Sequence, residues 1–273
     1  MPDLPTTSHI KLDLRGPVLH LWLNRPESRN ALSQQMVREI AATFATIAGD
    51  RSVRVVILRG AGGTFCAGAD IKNMAVATAA APSGVADELK ESNHRFGAML
   101  EAVNAAPQVV IAAVEGFAMG GGFGLACVAD ITIATADARM AMSEVMIGVV
   151  AAAISPFVVQ RIGLTNARRL GVSGVRLDGA QAVAVGLAHL YVKDAAALDE
   201  AIRDTCNQVL KSAPEAVAAT KRLMLRAAGP TPLADLLDEA ATTFVSAVRG
   251  AEGREGTKAF VEKRKPSWVT QVE

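Results

Sequence analysis

Two glycine-rich turns and one glutamate are the parts of this sequence whose residue types and spacing could do chemistry. Gly68 follows the apolar residues 65–67, and a glycine there lets the backbone turn and leaves the N–H of Ala69 free. Three consecutive glycines, 120–122, precede a helical stretch, where free N–H groups and the positive end of the helix meet any ligand. Each turn alone is also explained by an ordinary change of chain direction.

Glu144 is the third feature, because the residues that follow it, 145–150, are almost all apolar. A carboxylate buried among them would have a raised pKa, which suits general acid–base catalysis. The alternative is a surface or ion-paired glutamate, the usual fate of this residue type.

Several other chemistries lack their sequence signals. No Gly-Lys-Ser/Thr follows the glycine triplet and no G-x-G-x-x-G occurs there, so nucleotide-phosphate loops are excluded. Ser143 lies outside any G-x-S-x-G, which argues against a nucleophilic serine. The four histidines and three cysteines show no metal-ligand spacing and no C-x-x-C, so no metal site and no disulfide framework are expected.

Composition excludes further classes of protein. Hydrophobic residues make up 51% of the 273 residues and charged residues 20%, which favours a packed globular fold. The net charge of +1 makes nucleic acid an unexpected partner. No basic and apolar leader is visible at the start, and the longest apolar stretch, 145–154, is too short to cross a bilayer. We therefore expect no membrane partner and a cytoplasmic location.

The elements that must position the three features alternate between strand and helix. Residues 16–24 have strand periodicity, 31–47 have apolar residues at helical spacing, and 53–59 form an apolar strand, an order that indicates an α/β fold. From residue 195 onward the pattern is helical throughout. We therefore predict an α/β core carrying the site in residues 1–195 and a helical C-terminal region in 196–273.

The features occur within a longer series of motifs. These are Leu23-Asn24-Arg25-Pro26 with Asn30-Ala31-Leu32, residues 65–72, Glu115-Gly116 before the glycine triplet, Asp130, Ser143-Glu144 with Gly148, and residues 259–266. In this order and spacing, along almost the whole chain, they resemble the enoyl-CoA hydratase/isomerase (crotonase) family. The resemblance implies an α/β fold of repeated ββα units forming a superhelix with a C-terminal helical tail. It also implies a coenzyme A thioester substrate, no cofactor, and oligomerisation through the tail as a homotrimer or homohexamer.

The resemblance also assigns roles to individual residues. The N–H groups of Ala69 and Gly121 would form an oxyanion hole, and Glu144 would act as acid and base. Reaction at an enoyl thioester places negative charge on the thioester oxygen, which two fixed N–H donors stabilise. Contacts to coenzyme A or the acyl chain are implied for Arg25, Ala67, Asp70, Ile71, Lys72, Phe123, Phe260 and Lys263. For Arg25, Lys72 and Lys263 a solvated charge is the alternative, and for Phe260 it is packing of the tail. The acyl pocket is expected to be built from Met119, Phe123, Ile147, residues 151–153 and Phe157.

One position departs from the family pattern. Hydratases of this family use a second glutamate where this chain has Gly124. Residues 120–130 and 143–162 are most similar to hydratases of branched glutaconyl-CoA esters, such as methylglutaconyl-CoA and isohexenylglutaconyl-CoA from terpene breakdown. The sequence thus predicts hydration of a branched or carboxylated enoyl-CoA. An enoyl-CoA isomerase that uses one glutamate and a non-catalytic acyl-CoA-binding protein stay open.

Overall fold

A six-stranded sheet runs through the core of the protein, whose structure is a computed structural model that describes residues 2–70 and 88–272. The strand order is β1-β2-β3-β4-β6-β8, with β1 and β2 antiparallel and every other pair parallel. The strands are β1 Ile10–Arg15, β2 Val18–Leu23, β3 Val55–Gly60, β4 Val109–Val114, β6 Ile131–Thr135 and β8 Leu190–Val192. The strand predicted over 16–24 is β2, whereas β1, which pairs with it, was not predicted.

Both faces of this sheet are covered, as the apolar strand sequences require. All six residues of β4 are buried. One face packs against the main core, which includes Leu21 and Leu58. The other face packs against the helix Ala195–Val209 through Leu198 and Ile202. The first helix after the predicted boundary at residue 195 therefore completes the α/β core.

A second row of short strands lies beside the main sheet. It contains β5 Phe117–Met119 paired in parallel with β7 Arg139–Ala141, together with the single bridges Leu32↔Ala69 and Cys66↔Ala118. Main strands β4 and β6 are each followed by one of these short strands, and the helix Gly121–Cys127 follows β5 directly. This is the repeated ββα arrangement that the family resemblance implied, and it is confirmed.

The helices cover the sheet and extend beyond it at the C-terminal end. They are α1 Gln34–Ile47, α2 Glu88–Asn104, α3 Gly121–Cys127, α4 Ser155–Ser173, α5 Gly179–Ala184, α6 Ala195–Val209, α7 Pro214–Ala227, α8 Leu233–Arg249 and α9 Ala251–Val261, with 3-10 turns at Pro26–Ser28 and Glu144–Ile147. Helix α1 begins three residues later than predicted because Leu32 bridges to Ala69 and Ser33 caps the helix, its Oγ accepting from Met36 N–H at 3.1 Å.

The C-terminal helices differ in how they are held. In α7, Lys221 Nζ donates to an Asp130 carboxylate oxygen at 2.7 Å and to the Gln108 carbonyl at 3.2 Å. Helix α8 buries none of its residues. In the described ranges, 2–70 and 88–272, every helix is too short or too polar to cross a membrane.

Candidate active site

The short second row of strands brings three distant segments of sequence together. Cys66 pairs with Ala118, and Ala118 pairs in turn with Met140 on β7. Residues that follow these partners at similar distances must therefore lie side by side, since parallel strands advance together. Ala69 and Gly121 each follow their bridge partner by three residues, and Glu144 follows Met140 by four.

The backbone at the first two positions is shaped by glycine. Gly68 has φ +97°, and a β-carbon there would lie 2.9 Å from the Met119 carbonyl oxygen. The peptide before Ala69 thus lies against the segment that leads into Gly121. Gly121 is the first residue of α3, so its N–H has no partner within the helix. Within 2–70 and 88–272, neither the Ala69 nor the Gly121 N–H donates to a protein acceptor, and both residues border the same cavity.

Glu144 lies against the same glycines. A β-carbon on Gly120 would be 3.1 Å from Glu144 Oε1, so glycine lets this carboxylate pack closely against the backbone. The other oxygen, Oε2, is buried without a hydrogen-bond partner among the described residues. Burial raises the pKa of Glu144, because removal of water penalises the ionised form. A carboxylate with one unpartnered oxygen beside two free N–H groups can take a proton from, or return it to, a molecule held between them.

The apolar residues after Glu144 are not the cause of its burial. Val145, Met146 and Ile147 are all exposed, since the 3-10 turn that starts at Glu144 directs them to the surface. The expected apolar surroundings are therefore wrong in detail, although the raised pKa is found.

A cavity of about 530 Å³ opens at these three residues. Its walls come from the start of α1, the first half of α2 and the segment before α4. The surface that lines the cavity is mostly apolar. Beyond Ala69, Gly121 and Glu144, the lining residues include Leu32, Ser33, Gln34, Val37, Asp70, Glu88, Ser92, Arg95, Phe96, Val149, Val150, Ala151, Ala152, Ala153 and Ile154. The position and lining of this cavity make it the candidate site for an acyl chain.

The place of a second glutamate is filled by another side chain. A β-carbon at Gly124 would lie 2.8 Å from Ile154 Cβ and closer still to its Cγ2. Ile154 itself is buried and also borders the cavity. The chain therefore has an isoleucine methyl group where the second carboxylate would begin, and Gly124 is required by packing.

Only part of the expected acyl pocket lies at the cavity. The alanine run 151–153 borders it. Phe123 is fully buried in the core and does not line the cavity, so its expected contact with substrate stays a prediction. Met119, Ile147 and Phe157 do not line the cavity either.

The residues expected to line a coenzyme A channel do not all lie at the cavity. Asp70 borders the cavity, and its carboxylate pairs with Arg25 Nη1 at 3.2 Å, while the same nitrogen donates to the Ala31 carbonyl. Arg25 thus anchors the turn after β2 to Asp70. Ala67 lies just before the turn and donates its N–H to the Arg29 carbonyl at 3.0 Å. Ile71 and Lys72 lie outside the described residues.

Phe260 and Lys263 lie on the surface at the end of α9. Phe260 is 84% exposed, and Lys263 is exposed with φ +54°. Neither lines the cavity of its own chain. Their expected contact with the coenzyme A nucleotide therefore requires a neighbouring copy and stays a prediction.

Sequence reasoning missed the cavity walls formed by α1 and α2. Leu32, Val37 and Phe96 are ordinary apolar positions of a helix or strand, and no local pattern separates those that face a cavity from those that face the core. Arg95 was missed for the same reason. Among the described residues, no group of three or more His, Cys, Asp or Glu could hold a metal ion.

Comparison with known proteins agrees with this geometry. A family model described as enoyl-CoA hydratase/isomerase matches residues 14–271. The structure of Pseudomonas aeruginosa AtuE is 49% identical with a TM-score of 0.92, covering 96% of this chain and 100% of its own. An enoyl-CoA hydratase/isomerase from Marinobacter aquaeolei is 46% identical with a TM-score of 0.92, over 96% and 99% of the two chains.

A further relative is named for a hydratase activity. The mevalonyl-coenzyme A hydratase SIDH of Beauveria bassiana is 33% identical over 92% of this chain and 91% of its own length. The family match, the fold and the arrangement of the second-row strands agree, and the chain belongs to the enoyl-CoA hydratase/isomerase family as an enzyme of hydratase type.

Proposed function

We propose that this enzyme adds water to a branched or carboxylated 2-enoyl-CoA thioester of the glutaconyl type, such as isohexenylglutaconyl-CoA. The observation that carries the proposal is the Glu144 carboxylate, which has a buried, unpartnered oxygen at a cavity whose second-glutamate position is filled by Ile154. The resemblance of residues 120–130 and 143–162 to hydratases of branched glutaconyl-CoA esters supports this substrate class, and a role in terpene breakdown follows from it.

In the proposed reaction, Glu144 acts first as base and then as acid. Its carboxylate takes a proton from water, and the oxygen of that water forms a bond to the β-carbon of the enoyl chain. The electron pair of the double bond moves to the thioester oxygen, giving an enolate that the N–H groups of Ala69 and Gly121 stabilise. Protonated Glu144 then returns the proton to the α-carbon. Every step uses the chain, the thioester and one water, so the proposal needs no cofactor.

The shape of the cavity supports a branched acyl chain. Three consecutive alanines, 151–153, border it where larger residues would narrow it. Leu32, Val37 and Phe96 supply apolar surface on the facing walls. We therefore expect the alanine side to accept a branch on the acyl chain when the thioester oxygen lies at Ala69 and Gly121.

Isomerisation of the double bond is the second candidate function. The same observation favours it, because one carboxylate is enough to move a proton between two carbons, and the described residues place no second carboxylate at Gly124. The two functions share the enolate and differ in whether water is added to it.

A turnover panel separates these functions. The purified enzyme would be given straight, branched and carboxylated enoyl-CoA esters, and the product mass and double-bond position would be read together. We expect a gain of one water on branched carboxylated esters, and a loss of about 10²–10⁴-fold in kcat for Glu144→Gln. A shifted double bond at unchanged mass would establish the isomerase instead. Tight binding without turnover, or full hydration by Glu144→Gln, would overturn the proposed mechanism.

The proposal includes a homotrimer or homohexamer in the cytoplasm. Helix α8 supports assembly, since Leu233, Leu237, Phe244 and Val248 follow helical spacing and are all exposed in the single chain. An apolar stripe of this kind is typical of a surface that another protein copy covers. In such an assembly, Phe260 and Lys263 would be available to the coenzyme A nucleotide of a neighbouring copy.

A further inference from the structure

Arg95 is a cation on the cavity wall that has no acidic partner in the described chain. Its Nη2 donates to Gln34 Oε1 at 3.2 Å, so the acceptor that holds it is a neutral amide. Within 2–70 and 88–272 it forms no ion pair. Arg25, by contrast, already holds the Asp70 carboxylate and the Ala31 carbonyl through its Nη1. The guanidinium of Arg95 therefore keeps donors for a ligand.

The surroundings of Arg95 include three acidic groups at the cavity. Asp70 is neutralised by Arg25, and Glu144 lies at the far side against Gly120. Glu88 lies on the same face of α2, about two turns earlier, and does not pair with Arg95. On the opposite wall, Ser33 and Gln34 form the start of the 14-residue helix α1, whose positive end faces the cavity.

The residue that follows Arg95 in sequence lies close to the reaction centre. Phe96 Cζ would lie 3.1 Å from a β-carbon on Gly121, so this ring packs directly over the proposed oxyanion donor. Arg95 comes immediately before Phe96 and borders the same cavity. A ligand held at Gly121 would therefore contact Phe96, and Arg95 borders the same cavity on the helix that carries Phe96.

We propose that Arg95, held by Gln34, binds a carboxylate on the acyl chain and so selects carboxylated enoyl-CoA esters over neutral ones. Guanidinium and carboxylate can pair through two parallel hydrogen bonds, which gives both affinity and direction. The inference rests on the proposed function for the orientation of the thioester, and it extends that function by naming the specificity-determining residue.

Binding of two non-reacting thioesters tests the proposal without turnover. Glutaryl-CoA carries a terminal carboxylate, and 5-methylhexanoyl-CoA has two methyl groups in place of its two oxygens. Titration calorimetry would measure both with the wild-type enzyme and with Arg95→Met. We expect Arg95→Met to weaken glutaryl-CoA by about tenfold or more, the size of a charge-assisted hydrogen bond, and to leave 5-methylhexanoyl-CoA within about twofold.

Arg38→Met is the matched control. Arg38 is also exposed on a helix and also donates to a glutamine, with Nη2 at 2.8 Å from Gln35 Oε1, but it does not border the cavity. The Arg38→Met substitution removes the same charge from the protein as Arg95→Met, so any general electrostatic effect on binding appears in both variants. Equal losses in Arg95→Met and Arg38→Met, or an unchanged preference in Arg95→Met, would overturn the assignment.

Two outcomes separate the assignment of Arg95 from the proposed hydratase activity. If Arg95→Met loses glutaryl-CoA binding but the wild type hydrates no carboxylated enoyl-CoA, the carboxylate site stands and the hydratase proposal is wrong. If the wild type hydrates 3-methylglutaconyl-CoA and Arg95→Met does so with unchanged KM and kcat, the hydratase proposal stands and the assignment of Arg95 is wrong.

Discussion

Burial of the Glu144 carboxylate costs stability and at the same time suits this group for proton transfer. One of its carboxylate oxygens is buried without a hydrogen-bond partner among the described residues, and an unsatisfied buried polar atom destabilises a fold. The same burial raises its pKa and makes it a better base than a solvated glutamate. Unfavourable burial of this kind is expected where a group must exchange protons with a ligand.

The pH dependence of the hydration rate should show the raised pKa of Glu144 directly. Because the ionised form activates water, kcat/KM falls as the pH drops through this pKa, and the fall begins at a higher pH than for a solvated glutamate. The measurement is kcat/KM against pH on the best ester of the panel. An acidic limb at the ordinary pKa of glutamate, or no limb, would argue against Glu144 as the base.

The same residue should lower stability at neutral pH. A carboxyl whose folded pKa lies above its unfolded pKa disfavours folding once it ionises, so this destabilisation grows as pH rises and is absent below the unfolded pKa. We expect Glu144→Gln to raise Tm by a few degrees at pH 7 and by much less near pH 4. Glu101→Gln, an exposed glutamate on α2, is the control and should change Tm little at either pH.

Packing between Gly124 and Ile154 gives a second prediction at this scale. Gly124→Ala should lower the free energy of unfolding by about 1–3 kcal/mol, since its methyl group overlaps Ile154. In the double variant with Ile154→Ala, part of that loss should be recovered, which denaturant titration would measure as a coupling energy. Gly97→Ala is the control, because its β-carbon would lie an ordinary 3.8 Å from Ala153 Cβ. Additive losses in the double variant would contradict the overlap.

Among the secondary-structure elements, one arginine joins the sheet to the C-terminal segments. Arg54, just before β3, donates to the carbonyls of Trp268, Val209 and Ser212. Val209 is the last residue of α6, Ser212 follows that helix, and Trp268 lies in the segment after α9. Arg54 is buried, so its loss would leave these carbonyls with fewer partners away from water.

Arg54→Met should therefore destabilise the protein by about 2–3 kcal/mol. Hydrogen exchange should rise first in the segments that Arg54 holds, around residues 209–212 and 268. Arg15→Met is the control, because Arg15 pairs with Asp13 on the surface, where such pairs contribute little. Equal stability of Arg54→Met and Arg15→Met would show that these contacts do not hold the tail.

At the same scale, the sequence predicted the long elements better than the short ones. The apolar run of β4 and the periodicity of α1 are visible locally. Three-residue strands such as β5 are too short to show a period, and the bridge between Leu32 and Ala69 depends on contacts from distant sequence. For the same reason the family motifs located Glu144 and the two glycine turns, whereas the cavity walls at Val37 and Phe96 became visible only in the fold.

For the whole molecule, the exposed stripe on α8 should be the surface that controls assembly. Replacing Leu237 and Phe244 by glutamate places charge in the apolar stripe, so the proposed trimer should dissociate into monomers. Light scattering after size-exclusion chromatography measures this. Ser246→Glu adds charge to the opposite, exposed face of the same helix and should leave the mass unchanged. A wild-type monomer, or a trimer that survives both substitutions, would contradict the proposal.

Ile154 also makes a second carboxylate hard to introduce at Gly124. A glutamate placed at Gly124 would meet an isoleucine already in its space, so this substitution alone would destabilise the fold. Shrinking Ile154 first would leave a void that costs about 1–4 kcal/mol before any benefit appears. A second carboxylate at this place therefore requires that both positions change together, and neither single substitution is enough.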